Sequence, residues 1–475
     1  MSEGPFADKP DMASMAHFGR EPGQIRGYCG HPEIELALLR LYHATKERRY
    51  LDLCRYFINE RGQSPNFFEQ EAAARLDTRP FRRNHPGSPY AYMQAHEPIR
   101  VQTQVVGHAV RAMYLFAAAA GLALEDGDDD LLATCERIWQ DVIKTKLYIT
   151  GGIGSASENE GFTRDYDLPN HKAYAETCAS IGLFLFGHRL LQARLHSQYG
   201  DIMELALYNN ILSGVSLDGR SFFYDNPLAA DGSHRRVRWP WWCPCCPPNL
   251  ARLISSLSGY LYSEREDSIA IHQYVSSEAH KDGFTLRVRS GLPYVGNNAV
   301  EIQTEVPMER TLFFRIPGWA ARHTMTINGT EVTPRMEDGY AVVRRAWASG
   351  DRIELDFELQ VRMKFCRFEV DANRGRVALT RGPLVYCLEQ IDNGADLDAM
   401  TLTLDAAFAP EALSDLPGGM LALAGSGFRE QSRNDGLYSN EPAVAHPTTV
   451  TAVPYYAWGN REPGEMQVWI RRAVR

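Results

Sequence analysis

The chain has 475 residues, 44% hydrophobic and 11% aromatic, enough apolar surface for large cores spread over about two to four domains. Its formal charge is only −9, and the 50 Lys and Arg residues are scattered with no dense basic run, which excludes a nucleic acid as partner. No basic stretch followed by an apolar one opens the chain, and no segment approaches the roughly 20 apolar residues of a membrane helix, so the expectation is a cytoplasmic protein with no membrane contact.

Up to about residue 262 the hydrophobic pattern is helical. Between Glu33 and Tyr42 apolar residues recur at i, i+3, i+4 and i+7, and similar stretches follow at 47–60, 104–122, 129–146, 174–195, 199–214 and 247–262. Seven long helices are thus predicted, joined by irregular segments, as in part of a helical toroid. From about Ser268 the texture becomes alternating. Strands are predicted at 284–289, 311–316, 324–328, 340–344, 352–358, 376–387 and 466–470, which reads as one or two β-sandwiches. The segment 388–440, rich in Asp, Ala, Gly and Ser, is expected to be a long loop or insertion in the second of these. The overall class is α+β multidomain.

Nine cysteines is an odd number, and three stand in Cys243-Pro-Cys245-Cys246, where adjacent residues rarely make a disulfide framework. Metal binding or catalysis in a reducing compartment fits better. With Glu176-Thr-Cys178 upstream, the set Glu176, Cys178, Cys245 and Cys246 offers three thiolates and a carboxylate, a soft tetrahedral donor set that suits Zn²⁺ over magnesium or calcium. Pro247 and Pro248 mark a helix start, which places Cys246 at the N-cap, where the helix dipole favours its thiolate. Glu176 and Cys178 are two apart and would face differently on a helix, so they must lie in its first turn or an extended lead-in. The same residues also suit a closed structural zinc site or small buried thiols. Cys29, Cys54, Cys135, Cys366 and Cys387 lack ligand spacing and are expected in packed core. His108, inside the predicted helix 104–122, reads from pattern alone as a core histidine, and Trp239-Pro-Trp-Trp242 as a packing segment or a surface for stacking on sugar rings.

The runs Gly151-Gly-Ile-Gly154, Glu160-Gly-Phe-Thr-Arg-Asp-Tyr-Asp-Leu-Pro-Asn170, Ala173-Tyr-Ala-Glu-Thr-Cys-Ala-Ser180 and Cys243-Pro-Cys-Cys-Pro-Pro-Asn-Leu-Ala-Arg252 closely resemble glycoside hydrolase family 127, the β-L-arabinofuranosidases. The likeness extends through Gly27-Tyr-Cys-Gly-His31, Val106-Gly-His-Ala-Val-Arg111, Ala206-Leu-Tyr-Asn-Asn210, Phe222-Phe-Tyr-Asp-Asn226, Arg381-Gly-Pro-Leu-Val-Tyr-Cys387 and Pro454-Tyr-Tyr-Ala-Trp-Gly-Asn460. The resemblance implies an (α/α)₆ barrel followed by β-sandwiches, and a zinc held by Glu176, Cys178, Cys245 and Cys246. It further implies a retaining mechanism with Cys245 as nucleophile and Glu160 as acid/base, and His31, His108 and Tyr224 as hydrogen-bond partners of the furanose. The implied substrate is an arabinofuranose-containing oligosaccharide or glycoside.

An (α/α)₆ barrel needs about twelve helices, so the resemblance implies that roughly the first third of the toroid is absent from this chain, together with a further substrate-binding histidine. Met1 to His17 read as an irregular lead-in. The expected domains are 1–266, helical and short at its N-terminal side, then β-sandwiches over 267–366 and 367–475. The competing functions are a related (α/α)-barrel hydrolase or lyase acting on another sugar, and an inactive carbohydrate-binding remnant with a structural zinc. A homodimer is one assembly open to the chain.

Overall fold

The computed structural model describes residues 17–74, 90–238, 245–416 and 418–473. All but the last residue of the expected lead-in Met1–His17, and the segment Trp239–Trp242 with Cys243, lie outside the described residues. The chain divides into two compact units. The first comprises Met1–Leu147, Ile153–Asp165 and Leu185–Ala193; the second comprises Tyr148–Gly152, Tyr166–Phe184 and Arg194–Arg475.

The first unit is helical: α1 (Glu33–Thr45), α2 (Arg48–Glu60), α3 (Phe67–Ala74), α4 (Ala109–Asp126) and α5 (Asp129–Asp141), with the last part of α6 (Thr177–Ala193). Of these only the short α3 was not predicted. α2 buries Leu51, Cys54 and Ile58 on one stripe and turns Arg48 and Asp52 to solvent, the pattern of a half-buried helix. α4 is apolar all round and is buried from Ala112 to Ala123, so it runs through the middle of the unit. At Gly121 it lies so close to α1 that an added Cβ would stand 2.3 Å from Leu39 Cδ2. Asp128 caps α5 by accepting from the Leu131 N–H at 2.9 Å.

α4 begins later than the expected 104. Gly107 has φ +72° and packs against the Ala91 carbonyl, and His108 is extended, so helical backbone starts only at Ala109. His108 is therefore an N-cap and not a mid-helix residue: its Nδ1 accepts the Val110 N–H at 3.1 Å.

The second unit holds α7 (Ser197–Ala206), α8 (Cys246–Ser255) and the sheets. One sheet orders Thr330–Glu331, His323–Ile327, Arg352–Phe357, Asn297–Thr304, Phe284–Ser290 and Ser277–Lys281; another orders Arg335–Glu337, Tyr340–Trp347, Met308–Arg315, Ser268–Ile271 and Tyr262–Arg265. Alternate residues Phe284, Leu286 and Val288 of the first sheet share one core with Ile269, Leu312, Phe314 and Trp347 of the second.

The third sheet has ten strands, nine of them on a path from Val361–Lys364 to Ala229–Asp231 and the tenth, Phe408–Ala412, paired beside it with Leu421–Gln431. Two results here differ from expectation. Segment 388–440 is no loop, since Met400–Leu402, Phe408–Ala412 and Leu421–Gln431 are strands of this sheet. Their alternation is masked by small residues that close packing requires: a Cβ on Gly425 would sit 2.6 Å from Phe408, and one on Gly427 2.7 Å from the Thr401 carbonyl. The span 376–387 is two strands, Arg376–Arg381 and Leu384–Glu389, with Gly382 at φ +57° turning between them. Among the isolated cysteines Cys54, Cys135 and Cys387 are buried, but Cys29 is exposed and Cys366 half-exposed. Among the described residues no helix is long and apolar enough to cross a membrane.

Candidate active site and metal centre

In the second unit, ligand atoms of Glu176, Cys178, Cys245 and Cys246 lie within 4.8 Å of one another. Cys178 Sγ and Cys246 Sγ are 3.4 Å apart, Cys245 Sγ and Cys246 Sγ 3.8 Å, and Glu176 Oε1 is 3.8 Å from both Cys245 Sγ and Cys246 Sγ. A disulfide needs about 2.05 Å, so these are free thiols gathered around a point. Glu176, Cys178 and Cys246 are buried, whereas Cys245 is exposed. Contacts with Cys245 and burial push the Cys178 thiol well up, and contacts with Cys178 and Cys245 together with burial do the same to Cys246. Cys178 and Cys246 thus resist ionisation by themselves; a bound cation would reverse that preference, so the set could hold a metal ion.

The local backbone explains the placing. Glu176 stands just before α6, after Ala175 at φ +37°, so Glu176 and Cys178 point to one place despite being two apart. That turn is fastened from several sides. Asn226 Nδ2 donates to the Ala175 carbonyl at 2.9 Å and to Thr177 Oγ1 at 3.0 Å, Asn210 Nδ2 donates to the Ala175 carbonyl at 3.1 Å, and the Thr177 N–H donates to the Tyr224 carbonyl at 2.9 Å. Residues 222–231 are in turn tied to the C-terminal sheet: Tyr455 Oη donates to the Asn226 and Pro227 carbonyls, and Phe223 stacks on Trp458. Cys246 proves to be the first residue of α8 and Cys245 its N-cap, one position from expectation, because the Cys245 carbonyl already accepts the Asn249 N–H. Tyr224 Oη is 3.6 Å from Cys245 Sγ; burial and then the charge of Glu176 push its phenol far up, so it stays protonated.

The remaining predicted residues, His31, His108 and Glu160, form a cluster in the first unit. Glu160 closes a tight turn in which residues Ala156 and Gly161 bridge, and its φ of +50° is unusual for a residue with a side chain. The turn is pinned to the start of α4: the Ala109 N–H donates to the Glu160 carbonyl at 3.0 Å and the Phe162 N–H to the Gly107 carbonyl at 2.9 Å. His108 Nε2 is 3.4 Å from Glu160 Oε2, and the His31 ring lies 6.5 Å from that of His108. Sequence reasoning missed Tyr92, whose hydroxyl donates to Glu160 Oε2 at 2.5 Å, and the part played by Arg111, whose guanidinium lies 4.7 Å from the centre of the Tyr92 ring. Arg111 stands in the Val106–Arg111 run; Tyr92 stands in an unpatterned segment and carried no local signal.

Residues 9–259 match the beta-L-arabinofuranosidase GH127 catalytic domain, 268–359 the GH127 middle domain and 361–471 the glycoside hydrolase family 127 C-terminal domain. A non-reducing end beta-L-arabinofuranosidase of Bifidobacterium longum subsp. longum is 40% identical over 492 residues, covering 96% of this chain and 73% of that protein. The crystal structure of Ara127N-Se, a GH127 beta-L-arabinofuranosidase from Geobacillus stearothermophilus T6, superposes with a TM-score of 0.93 at 43% identity, covering 97% of this chain and 75% of that one. A second solved structure, a GH127 beta-arabinofuranosidase, gives 0.87 at 33% identity over 98% of this chain and 72% of its own.

Proposed function

The chain belongs to glycoside hydrolase family 127, and we propose that it is a retaining hydrolase that releases L-arabinose from β-L-arabinofuranosides with Cys245 as nucleophile and Glu160 as general acid/base. The observation that carries this reading is the contrast within the thiol cluster: three of its four residues are buried and only Cys245 is open to a substrate. An exposed thiol beside three buried donors is the one member of the set that a substrate can reach.

The donors fit zinc, held by Glu176, Cys178, Cys245 and Cys246. Tetrahedral bonds near 2.3 Å put sulfurs about 3.8 Å apart, and the separations of 3.4 and 3.8 Å match that edge. When bound, zinc would supply the charge that keeps Cys245 ionised at neutral pH. In the first step Cys245 Sγ forms a bond to the anomeric carbon as the glycosidic C–O bond breaks, and the Glu160 carboxyl gives its proton to the leaving oxygen. In the second, the Glu160 carboxylate takes a proton from water, the water oxygen attacks the anomeric carbon, and the C–S bond breaks to return the thiolate. Tyr224, protonated and 3.6 Å from Cys245 Sγ, can donate to the sulfur or to a sugar hydroxyl, and His31 and His108 offer ring nitrogens to the furanose. We further infer that 1–266 belongs to an (α/α)₆ toroid and that 267–366 and 367–475 are β-sandwiches; the core shared by two sheets supports the first sandwich. Cytoplasmic action is part of this reading, since the free thiols suit reducing surroundings.

The test is an epoxide analogue of L-arabinofuranose, which should attach to Cys245 in competition with substrate and be located there by mass spectrometry. Cys245→Ser should eliminate both label and turnover. An active enzyme labelled on Glu160 or Glu176 and never on Cys245 would overturn the thiolate mechanism.

A further inference from the structure

Two groups face one oxygen, Oε2, of the Glu160 carboxyl. Tyr92 Oη donates to Oε2 at 2.5 Å, within the range of a hydroxyl on an ionised carboxylate. His108 faces the same oxygen at 3.4 Å. Because His108 Nδ1 accepts the Val110 N–H at 3.1 Å, the proton of the neutral ring sits on Nε2, the nitrogen nearest Oε2. One donor and one ring nitrogen thus face one oxygen of a side chain whose backbone is already strained at φ +50°.

Tyr92 is itself held. The Arg111 guanidinium lies 4.7 Å from its ring centre, and the His108 ring meets it edge-on at 5.1 Å. Arg111 donates to the Gly30 carbonyl at 2.5 Å, and Arg61, donating to the Cys29 and Met93 carbonyls, fixes the segments on either side. A cation over the ring draws electron density from the phenol and favours its hydroxyl as donor over acceptor.

We propose that Tyr92, backed by Arg111, is a positioning residue for the acid/base: it occupies Oε2 so that the proton exchanged with substrate and water is carried on Oε1. The proposal rests on Glu160 being the acid/base. Among the described residues, Tyr92, His108 and Arg111 face the carboxyl, with His31 beyond His108 and Arg61 and Cys29 behind Arg111. A donor on the ionised form lowers a carboxyl pKa, so removing it must raise that pKa.

Tyr92→Phe keeps the ring under Arg111 and deletes only the hydroxyl. In the full chain, the infrared titration of Glu160, isolated as a difference against Glu160→Gln, should shift upward by about one pH unit. With a poor leaving group kcat/KM should fall about 10- to 100-fold and its basic limb should move to higher pH by the same unit, while an activated aryl leaving group loses less. Replacing Tyr92 by 3-fluorotyrosine, a stronger donor of nearly the same shape, should move the titration the opposite way, and covers the case in which the phenylalanine variant does not fold. A Glu160 titration that coincides in all three proteins overturns the proposal. Full turnover of the poor leaving group by Glu160→Gln would instead overturn the acid/base reading, which separates the two failures.

Discussion

Gly161→Ala tests whether the Glu160 turn must lie against α4. Gly161 needs no unusual dihedral; what it needs is space, since a Cβ would stand 1.8 Å from the Gly107 carbonyl oxygen, 2.6 Å from its carbon and 2.9 Å from His108 Cα. All three are backbone atoms that no rotamer change can clear. Opening the 1.8 Å contact to 3.0 Å requires the turn to move by about 1.2 Å. That displacement breaks the bonds from the Ala109 N–H to the Glu160 carbonyl and from the Phe162 N–H to the Gly107 carbonyl, for a loss of about 2–3 kcal/mol. It also takes Glu160 Oε2 out of reach of Tyr92, 2.5 Å away in the native turn. A reacting group misplaced by about 1 Å loses roughly 100-fold in rate. The assay pairs urea unfolding with kcat/KM on an aryl β-L-arabinofuranoside. Gly127→Ala is the control: its φ is +65° but nothing lies within 4 Å, so it should cost about 1 kcal/mol of stability and no activity. A Gly161→Ala enzyme with native stability and activity within twofold of wild type would refute the reasoning.

Three other outcomes are expected. Asn226→Ala removes the donors to the Ala175 carbonyl and Thr177 Oγ1, so Glu176 and Cys178 lose their aim; metal affinity should drop about 10- to 100-fold by chelator competition, and unchanged affinity would show that the turn holds itself. Cys178→Ser and Cys246→Ser should each abolish stoichiometric metal in reduced protein, measured by elemental analysis, as both are buried members of the cluster. Burial, with Arg189 and Arg40 nearby, lowers His188 from 6.5 to about 3. Between those values the unfolded chain takes up a proton that the native one refuses, so this stabilisation is present above pH 6.5 and is lost as the pH falls, by up to about 1.4 kcal/mol per unit. His188→Leu should flatten the acid side of the stability curve in denaturant melts, and a curve parallel to wild type would remove His188 as its cause.

The seven long helices and the Glu/Cys group that could hold a metal ion were readable from the sequence alone because each is written locally. A helix that buries one stripe repeats its apolar residues every three or four positions, as α2 does with Leu51, Cys54 and Ile58, and thiols beside a carboxylate announce soft-metal chemistry by residue type. The Gly- and Ala-rich strand Leu421–Gln431 escaped that reading, since its small residues answer to the crowding of Phe408 and Thr401 across the sheet and leave no alternation behind. Only the tertiary structure decided that Ala229–Asp231 pairs with Glu465–Gln467, so that the C-terminal sheet steadies the segment bearing Tyr224. Only it brought Tyr92 to Glu160, 68 positions away in the chain. Such contacts depend on how distant segments close on one another, and a lone tyrosine in an unpatterned stretch has no neighbour in sequence that reports which carboxylate it will meet.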